Sequence, residues 1–361
     1  MIWLDITDPK YVLFFRHFIP LLEKLDKVII TTRYSKDYNE CYKLLKLFKI
    51  KCICIGRYGG DTQNGKLQAR LDRQKSFIKL FEKIGKPKLF ITGVSVEGTH
   101  TAFALGIPII QFSDTPLASD TFTIKKITAV AKLTLPLSTL IFRPFVVPEI
   151  CYSSLGIQSK NIISYDFIDV ALWLKDLKKG KDFRKSYGLD ITKPTLLLRE
   201  EEYKAHYVKK KLPVIYDSIK LLSTLDVNLV LMPRYGDLEL KANFSHIKNL
   251  TILEKKLDPS DFYPYIDMLI GGGGTMNLES CYLGIPTIST RSLFLFHDKY
   301  LLENNLMHHC QDANMVFDIV KKYLNTGFKR QDNKHFFEKE NASFERIFKI
   351  IKKFFNLSLS N

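Results

Sequence analysis

Four consecutive glycines, residues 271–274, follow a short apolar run and precede a helical segment that begins near Thr275. Glycine lets the backbone reach positive φ and approach a ligand closely. A helix N-terminus offers N–H groups and the positive end of its dipole to an anion. Glu279, one turn into this helix, is placed to accept hydrogen bonds from ribose hydroxyls. The pattern predicts a cradle for a nucleotide diphosphate, with a tight turn that binds nothing as the alternative. The cradle residues are Gly272, Gly273, Gly274, Thr275 and Glu279.

Acidic and imidazole side chains at the ends of predicted strands are candidates for acid–base chemistry. Asp5 and Asp8 close the first strand, at the edge where parallel sheets bind ligands, and either is a candidate general base. Glu97 and Asp114 stand at neighbouring strand ends and compete with them. Capping of the next helix is the alternative role for Asp8. His100 is a further candidate base, because a helix N-terminus would keep its imidazole neutral.

Two arginines, Arg199 and Arg234, each follow a predicted strand in the second half of the chain. Cationic groups in these places are suited to a diphosphate that leaves during a transfer reaction. An ordinary salt bridge is the alternative for each arginine. We therefore predict that both contact the diphosphate of the nucleotide.

The hydrophobic pattern predicts the strands and helices on which these residues lie. Short apolar runs alternate with helical segments, which predicts an α/β protein with parallel sheets covered on both faces. A glycine-containing loop, a helix, the sequence Leu-Gly-Ile-Pro and a strand occur once in each half, the last two at residues 105–112 and 283–289. This repeat predicts two doubly wound, Rossmann-like domains that flank a cleft.

The length of 361 residues exceeds one ordinary domain. We predict an N-terminal Rossmann-like domain over residues 1–175 and a lysine-rich linker over residues 176–190. A C-terminal Rossmann-like domain that binds the nucleotide follows over residues 191–335. The last segment, residues 336–361, contains an amphipathic helix that is predicted to cross back onto the first domain.

The net charge of +16 is unevenly distributed. Residues 1–189 hold 30 Lys/Arg and 17 Asp/Glu, whereas the remainder holds 24 and 21. The basic half is predicted to face an anionic partner, namely a membrane surface, nucleic acid or a phosphorylated acceptor, unless the lysines reflect compositional bias alone. Aromatic residues do not alternate with the basic ones as stacking platforms would require, which argues against nucleic acid.

A basic helix over residues 66–86 carries the apolar residues Leu67, Leu71, Ile78 and Phe81. Such a helix can lie on an anionic membrane. The favoured interpretation is that the apolar stripe packs on the sheet and the lysines face water. Both are retained as expectations.

Six cysteines are scattered along the chain and form no Cys-x-x-Cys pair. This pattern argues against a metal site or a disulfide framework and favours a reducing compartment. The sequence shows neither a signal peptide nor an apolar run long enough to cross a bilayer. We expect a cytoplasmic protein, with attachment to the inner membrane face as a further option.

The segments 2–6, 12–15, 271–276 and 297–301, together with Pro9, resemble an archaeal and bacterial GT-B-like family of unknown function. The resemblance spans most of residues 1–325. More broadly, the two predicted domains and the glycine loop are similar to the GT-B superfamily. That superfamily contains nucleotide-sugar glycosyltransferases and UDP-N-acetylglucosamine 2-epimerases.

The resemblance implies that the second domain binds a nucleotide-sugar donor, UDP-linked, as substrate, with no metal or other cofactor. Arg199 lies where the epimerases have a cationic contact, and His297 and Asp298 lie where GT-B transferases contact the donor sugar. The implied reaction is transfer of the sugar to a surface glycan, a lipid-linked intermediate or a small acceptor, as in polysaccharide biosynthesis. Epimerisation or hydrolysis of a nucleotide sugar, and nucleotide-sugar binding without catalysis, are the alternatives.

Two departures from the superfamily pattern bear on the reaction. Tyr11 stands where relatives often have a histidine, which removes one candidate base. The epimerase histidine is also missing beside Arg199. This second departure argues against an epimerase.

Overall fold

The computed structural model describes residues 1–36, 38–60, 62–201, 213–234 and 238–360, with side chains up to residue 356. The chain forms two compact units. The first comprises Met1–Leu117, Phe122–Trp173 and Asn341–Asn361, and the second comprises Ala118–Thr121 and Leu174–Glu340.

The first unit is built on a parallel sheet that has seven strands among the described residues. The spatial order of the strands is β3-β2-β1-β4-β5-β6-β7. The strands are β1 (Ile2–Asp5), β2 (Val28–Thr32), β3 (Ile53–Cys54), β4 (Leu89–Thr92), β5 (Ile109–Phe112), β6 (Leu140–Pro144) and β7 (Ile162–Tyr165).

Helices connect and cover these strands. They are α1 (Pro9–Phe15), α2 (Ile19–Leu22), α3 (Glu40–Leu47), α4 (Gln63–Ile84), α5 (Val96–Ala104), α6 (Ala129–Thr134), α7 (Ile150–Ser153), α8 (Ala171–Leu174) and, from the C-terminal segment, α17 (Glu345–Ser360). Short 3-10 helices span Ile124–Lys126, Leu135–Leu137 and Ser159–Asn161.

The second unit repeats the plan with six described strands in the order β10-β9-β8-β11-β12-β13. The strands are β8 (Thr195–Arg199), β9 (Asn228–Met232), β10 (Leu250–Ile252), β11 (Met268–Gly271), β12 (Thr287–Ser289) and β13 (His308–His309). The helices are α9 (Phe183–Ser186), α10 (Val214–Leu222), α11 (Leu238–Phe244), α12 (Pro259–Phe262), α13 (Gly274–Tyr282), α14 (Phe296–Glu303), α15 (Ala313–Thr326) and α16 (Lys334–Phe337), with a 3-10 helix at Tyr263–Tyr265.

The central strands are apolar at consecutive positions because helices cover both faces of each sheet. In β8, Leu196 and Leu198 belong to one buried cluster, and Leu197 belongs to a second cluster on the opposite face. Two apolar layers thus enclose the second sheet. In the first unit, Trp3 on β1 packs in the same way against Phe77 and Phe81 of α4.

Both strand orders reverse next to the first strand of the unit, between β1 and β4 and between β8 and β11. In open parallel sheets this switch point is where ligands bind, beyond the carboxyl ends of the strands. The ends of these four strands, together with the loops and helices that follow them, contain most of the residues that the sequence singles out. Two doubly wound α/β units confirm the predicted fold class.

Of the four apolar residues expected to pack on the sheet from the helix at residues 66–86, Phe81 is buried and the other three are not. The residues of α4 that are buried are Ala69, Arg73, Phe77 and Phe81. Leu67, Leu71 and Ile78 are exposed on another side of the helix. The buried set includes an arginine, which a pattern of apolar residues cannot detect.

Residues 176–190, predicted to be a linker, lie in the second unit, where Asp182 caps α9. The C-terminal segment packs in the first unit, where the ring of Phe344 stacks on Phe18 at 4.5 Å between centroids. Within the part of the chain that is described, no helix is both long and apolar enough to cross a membrane.

Candidate functional site

The four-glycine loop lies at the switch point of the second sheet. Gly271, the last residue of β11, is paired in register with Arg199, the last residue of β8. The Gly272 N–H donates to the carbonyl oxygen of Arg199 at 2.9 Å. The loop and Arg199 are therefore held together by the parallel pairing of two central strands.

Helix α13 begins in this loop with Gly273 as its N-cap residue, in an extended backbone conformation. Its N-cap residue, a glycine, makes no side-chain cap hydrogen bond. The N–H groups of a first helical turn have no partner inside the helix, and they attract anions when no cap occupies them. The sequence placed the helix start at Thr275, and the structure places it at Gly274.

Each loop glycine after Gly271 has a different neighbour. A Cβ atom on Gly272 would lie 2.6 Å from the backbone of Glu201, so chain packing requires glycine there. A Cβ on Gly274 would lie 2.8 Å from a guanidinium nitrogen of Arg291. A Cβ on Gly273 would have only ordinary contacts, 3.6 Å from Arg234 Nη1 and 3.9 Å from Arg199 Cγ. Gly273 therefore faces two of the arginines.

Three arginines thus surround the start of α13. Arg199 is half-buried, and its Nη1 donates to the carbonyl oxygens of Met232 and Pro233, at 3.2 and 2.6 Å. The backbone N–H of Arg234 donates to Glu200 Oε2 at 2.7 Å. The bonds to Met232 and Pro233 fix the Arg199 guanidinium, and the bond to Glu200 fixes the backbone of Arg234. Both arginines lie beside the N-terminus of α13, where their charge adds to that of the helix dipole.

Arg291 completes the set and was missed by sequence reasoning. It follows β12, the strand next to β11, so the position after a strand end was the available signal. Its Nη1 donates to Asp298 Oδ2 at 2.6 Å. The close approach to Gly274 places the guanidinium against the first turn of α13.

Asp298 and His297 were predicted to contact the donor sugar, and both are buried. Asp298 Oδ2 also accepts from the N–H of Leu295 at 3.0 Å and so caps α14. The Asp298 carboxylate is therefore engaged by its own helix and by Arg291. The predicted contacts of Asp298 and His297 with the donor sugar stay predictions.

Glu201 is a further residue beside the glycine loop that the sequence analysis did not single out. Its Oε1 accepts from the N–H and Oγ of Ser292, at 2.6 and 2.7 Å. Its Oε2 is buried and has no hydrogen-bond partner among the described residues. Glu201 ties the loop after β8 to the loop after β12, on either side of the glycines.

Glu279 lies on the buried side of α13, where its Oε2 accepts a hydrogen bond from the Tyr263 hydroxyl. Burial, and then the neighbouring carboxylate, raise the pKa of Tyr263 well above its usual range, so the tyrosine remains a donor. The protein thus already holds one oxygen of Glu279. Its predicted contact with ribose stays a prediction.

In the first unit, Asp5 is fully buried and forms an ion pair with Arg73 of α4. Its carboxylate oxygens accept from Arg73 at 2.7 and 3.0 Å, and Oδ1 also accepts from Thr31 Oγ1 at 2.6 Å. Glu97 lies 3.4 Å from the same guanidinium. These contacts argue against Asp5 as a catalytic base, because it faces the core.

Asp8 remains at the sheet edge, where its Oδ1 accepts from the N–H of Lys10 at 2.8 Å and caps α1. The capping role that the sequence left open is therefore present, and a role as base stays a prediction. The Lys10 ammonium pairs with Asp114 and, at 2.6 Å, with Asp169. Burial alone would lower the pKa of Lys10, but the two carboxylates outweigh it and raise that pKa.

His100 lies within the helical layer of the first unit. Its Nε2 is 2.9 Å from the carbonyl oxygen of Leu133, and its Nδ1 is 3.4 Å from Arg70 Nη2. A carbonyl oxygen only accepts, so Nε2 carries the proton and Nδ1 accepts from the arginine. Both ring nitrogens serve contacts between helices, which argues against His100 as a base.

Solved structures define the fold class as GT-B-like. The chain is similar to the UDP-GlcNAc 2-epimerase of Neisseria meningitidis bound to UDP-GlcNAc (TM-score 0.70, 15% identity, 100% of both chains). It is also similar to the UDP-GlcNAc 2-epimerase of Methanocaldococcus jannaschii in complex with UDP-GlcNAc and UDP (0.71, 16%, 98% of this chain and 99% of that one). The glycotransferase of kitacinnamycin is similar as well (0.62, 12%, 98% of both). At these identities the likeness shows the fold alone.

Residues 1–354 match a family described as "Protein of unknown function (DUF354)", and the chain belongs to that family. A relative in Methanocaldococcus jannaschii, an uncharacterized protein, is 30% identical over 332 residues, or 90% of this chain and 91% of the relative. The expected membership in a GT-B-like family of unknown function is confirmed.

Proposed function

We propose that this protein binds a UDP-linked sugar at the start of α13 and transfers the sugar to an acceptor. The observation that carries the proposal is the grouping of Arg199, Arg234 and Arg291 around a helix N-terminus whose N-cap residue is a glycine, with no side chain to cap it. Positive charge from two sources converges there at the switch point of the second sheet. A diphosphate is the ligand that suits this charge and its extent.

The same groups supply the chemistry of glycosyl transfer. When the bond between the sugar and the diphosphate breaks, negative charge grows on the leaving group. Fixed guanidinium groups and helix N–H donors stabilise that charge without rearranging, because the protein has already oriented them. Glu200, Glu201 and Asp298 keep the surrounding loops in place.

The base that takes the proton of the acceptor hydroxyl is proposed among the carboxylates at the carboxyl edge of the first sheet. Asp5 is set aside because it is paired with Arg73 in the core. Asp8, half-buried beside α1, is the first candidate, and Asp114, which pairs with Lys10, is the second. The acceptor is a surface glycan, a lipid-linked intermediate or a small molecule.

Epimerisation of a nucleotide sugar is the second candidate function. It is favoured by the similarity of the whole chain to two UDP-GlcNAc 2-epimerases. Against it, the residue beside Arg199 is Glu200, which accepts from the Tyr216 hydroxyl and the Arg234 N–H. A carboxylate held in this way does not replace an imidazole.

A panel of nucleotides and UDP-sugars tests these proposals. A ligand at a hundred times its Kd stabilises the folded protein by about 2.7 kcal/mol, which a thermal shift detects. UDP and a UDP-sugar are expected to raise Tm, whereas uridine is not. Proton NMR of the stabilising sugar then separates the reactions, since a transferase releases UDP only with acceptor and an epimerase converts the sugar without one. If no nucleoside diphosphate shifts Tm, the proposed function is wrong.

A further inference from the structure

Helix α4 exposes apolar side chains that its sequence pattern had assigned to the core. Leu67, Leu71 and Ile78 are 45–52% exposed. Their spacing of four and seven residues places them on one side of the helix. This side is distinct from the one that packs on the sheet through Phe77 and Phe81.

The apolar side of α4 borders two further helices. Arg70, in the same turn as Leu67 and Leu71, contacts His100 of α5, and His100 contacts the carbonyl of Leu133 at the end of α6. Phe103, one turn after His100, is 59% exposed, and Leu133 is 38% exposed. Exposed apolar side chains therefore occur on three neighbouring helices of the first unit, α4, α5 and α6. We call this set the α4–α6 patch: Leu67, Leu71, Ile78, Phe103 and Leu133.

Cations flank the patch. On α4 the exposed basic residues include Lys75, Lys79 and Lys83, and on α6 they include Lys132. The whole first unit holds 28 Lys/Arg and 15 Asp/Glu, a net charge of +13. Apolar residues beside lysines, on a strongly basic unit, make a surface that is complementary to anionic lipid.

We propose that the α4–α6 patch docks this protein on an anionic lipid bilayer. The apolar side chains enter the boundary between headgroups and acyl chains, and the lysines contact lipid phosphates. A second copy of the chain would bring an equally basic surface against the patch. A nucleic acid would use the cations and leave the aliphatic side chains in water. The lipid surface is the partner that uses both features.

The proposal is independent of nucleotide binding, because the patch and the glycine loop lie in different units. Each lysine near an anionic surface contributes about 1 kcal/mol, or roughly fivefold in the partition coefficient. Neutralising Lys75, Lys79 and Lys83 together should weaken binding roughly a hundredfold. Replacing Leu67, Leu71 and Ile78 with glutamine should weaken it at least about tenfold at unchanged charge, since buried apolar area is lost.

The test is co-sedimentation of the full chain with vesicles of phosphatidylcholine, alone or with about 30% phosphatidylglycerol. Wild type is expected to bind the anionic vesicles at about 50 mM salt and to be released at about 500 mM salt, because salt screens the attraction. Both triple variants should bind far less. The matched control is Leu238→Gln with Met315→Gln, which alters exposed apolar residues of the second unit and should bind like wild type.

Two results would overturn the proposal. One is failure of wild type to bind anionic vesicles at low salt, including the case in which an oligonucleotide binds instead. The other is equal vesicle binding by wild type and both triple variants. Titration of UDP into the same proteins keeps the two proposals apart. Loss of vesicle binding with intact UDP binding supports docking through the patch, whereas vesicle binding without UDP binding contradicts only the proposed function.

Discussion

The helix that follows the fourth strand begins differently in the two units, although its surroundings repeat. Ser95 starts α5 ten residues before the sequence Leu105-Gly-Ile-Pro, and Gly273 starts α13 ten residues before Leu283-Gly-Ile-Pro. Ser95 Oγ accepts from the N–H of Gly98 at 3.0 Å and so caps α5. Gly273 has no side chain with which to cap α13.

The charged side chains at the two switch points differ as well. In the first unit the cation at the switch point, Arg73, is buried and neutralised by Asp5, with Glu97 nearby. In the second unit three arginines gather at the helix start. The first unit therefore caps its helix and pairs Arg73 with buried carboxylates, whereas the second unit gathers three arginines, one of them paired with Asp298, around N–H donors. Ligand binding at a switch point depends on a few residues that the frame does not determine.

The largest expected effect concerns the switch point of the first unit, where Arg73 pairs with Asp5. Arg73→Met leaves the buried Asp5 carboxylate without its cation, which typically costs about 3–5 kcal/mol in the free energy of unfolding. Urea titration measures this value. Arg57→Met is the control, because Arg57 is 61% exposed and 3.8 Å from Asp72, and exposed pairs contribute at most about 1 kcal/mol. A change below about 1 kcal/mol in Arg73→Met would mean that the ion pair does not hold the first switch point together.

Removal of Arg291 tests the switch point of the second unit, where the nucleotide is proposed to bind. Arg291→Ala should lower UDP affinity by about 1.5–3 kcal/mol, or roughly ten- to a hundredfold, because a hydrogen bond to a charged group is lost. Arg291→Lys should restore only part of the affinity, since an ammonium lacks the planar fork of guanidinium. Calorimetric titration gives both values, with Arg346→Ala on α17 as the control. Equal affinity in all four proteins would remove Arg291 from the site.

Glu279 allows the diphosphate and ribose contacts to be separated. Glu279→Ala should lower UDP affinity by about 1.5–3 kcal/mol if the carboxylate binds a ribose hydroxyl, but should leave pyrophosphate affinity unchanged. Competition of pyrophosphate with a fluorescent UDP analogue measures both. Equal losses for the two ligands would mean that Glu279 acts through the shape of α13.

The smallest expected effect comes from substitutions at the N-cap positions of α13 and α5. Gly273→Ser gives α13 the cap of α5, which should raise the free energy of unfolding by a few tenths of a kcal/mol. The hydroxyl then occupies an N–H that a phosphate would use, so UDP should bind more weakly. Ser95→Ala removes the natural cap and should cost about 1 kcal/mol of stability without affecting UDP. Tighter UDP binding by Gly273→Ser would show that the uncapped start is not the anion site.

The sequence predicted the two α/β units and the position of the glycine loop at the start of a helix, because both depend on local patterns. Apolar runs, the repeated Leu-Gly-Ile-Pro and the glycine loop each lie within a short stretch. The pairing of Asp5 with Arg73 joins residues 68 positions apart, so no local pattern reveals it. Arg291 and Glu201 each follow a strand end, but only the strand order shows that their loops lie beside the glycines. On α4, Arg73 replaces an apolar residue in the buried stripe, and three of the four apolar residues predicted to pack on the sheet are exposed.

Nucleotide binding at the start of α13 is tested most directly by calorimetric titration of UDP into wild type and Gly273→Val. The backbone at Gly273 is extended, and a Cβ there meets only ordinary contacts, so the variant should fold, with only the modest loss of stability that valine causes at an N-cap position. The added methyl groups would fill the space in front of Arg199 and Arg234. Wild type is expected to bind UDP, whereas Gly273→Val, normally folded, should show no detectable binding. Equal binding by the two proteins would contradict this prediction and would place the diphosphate elsewhere.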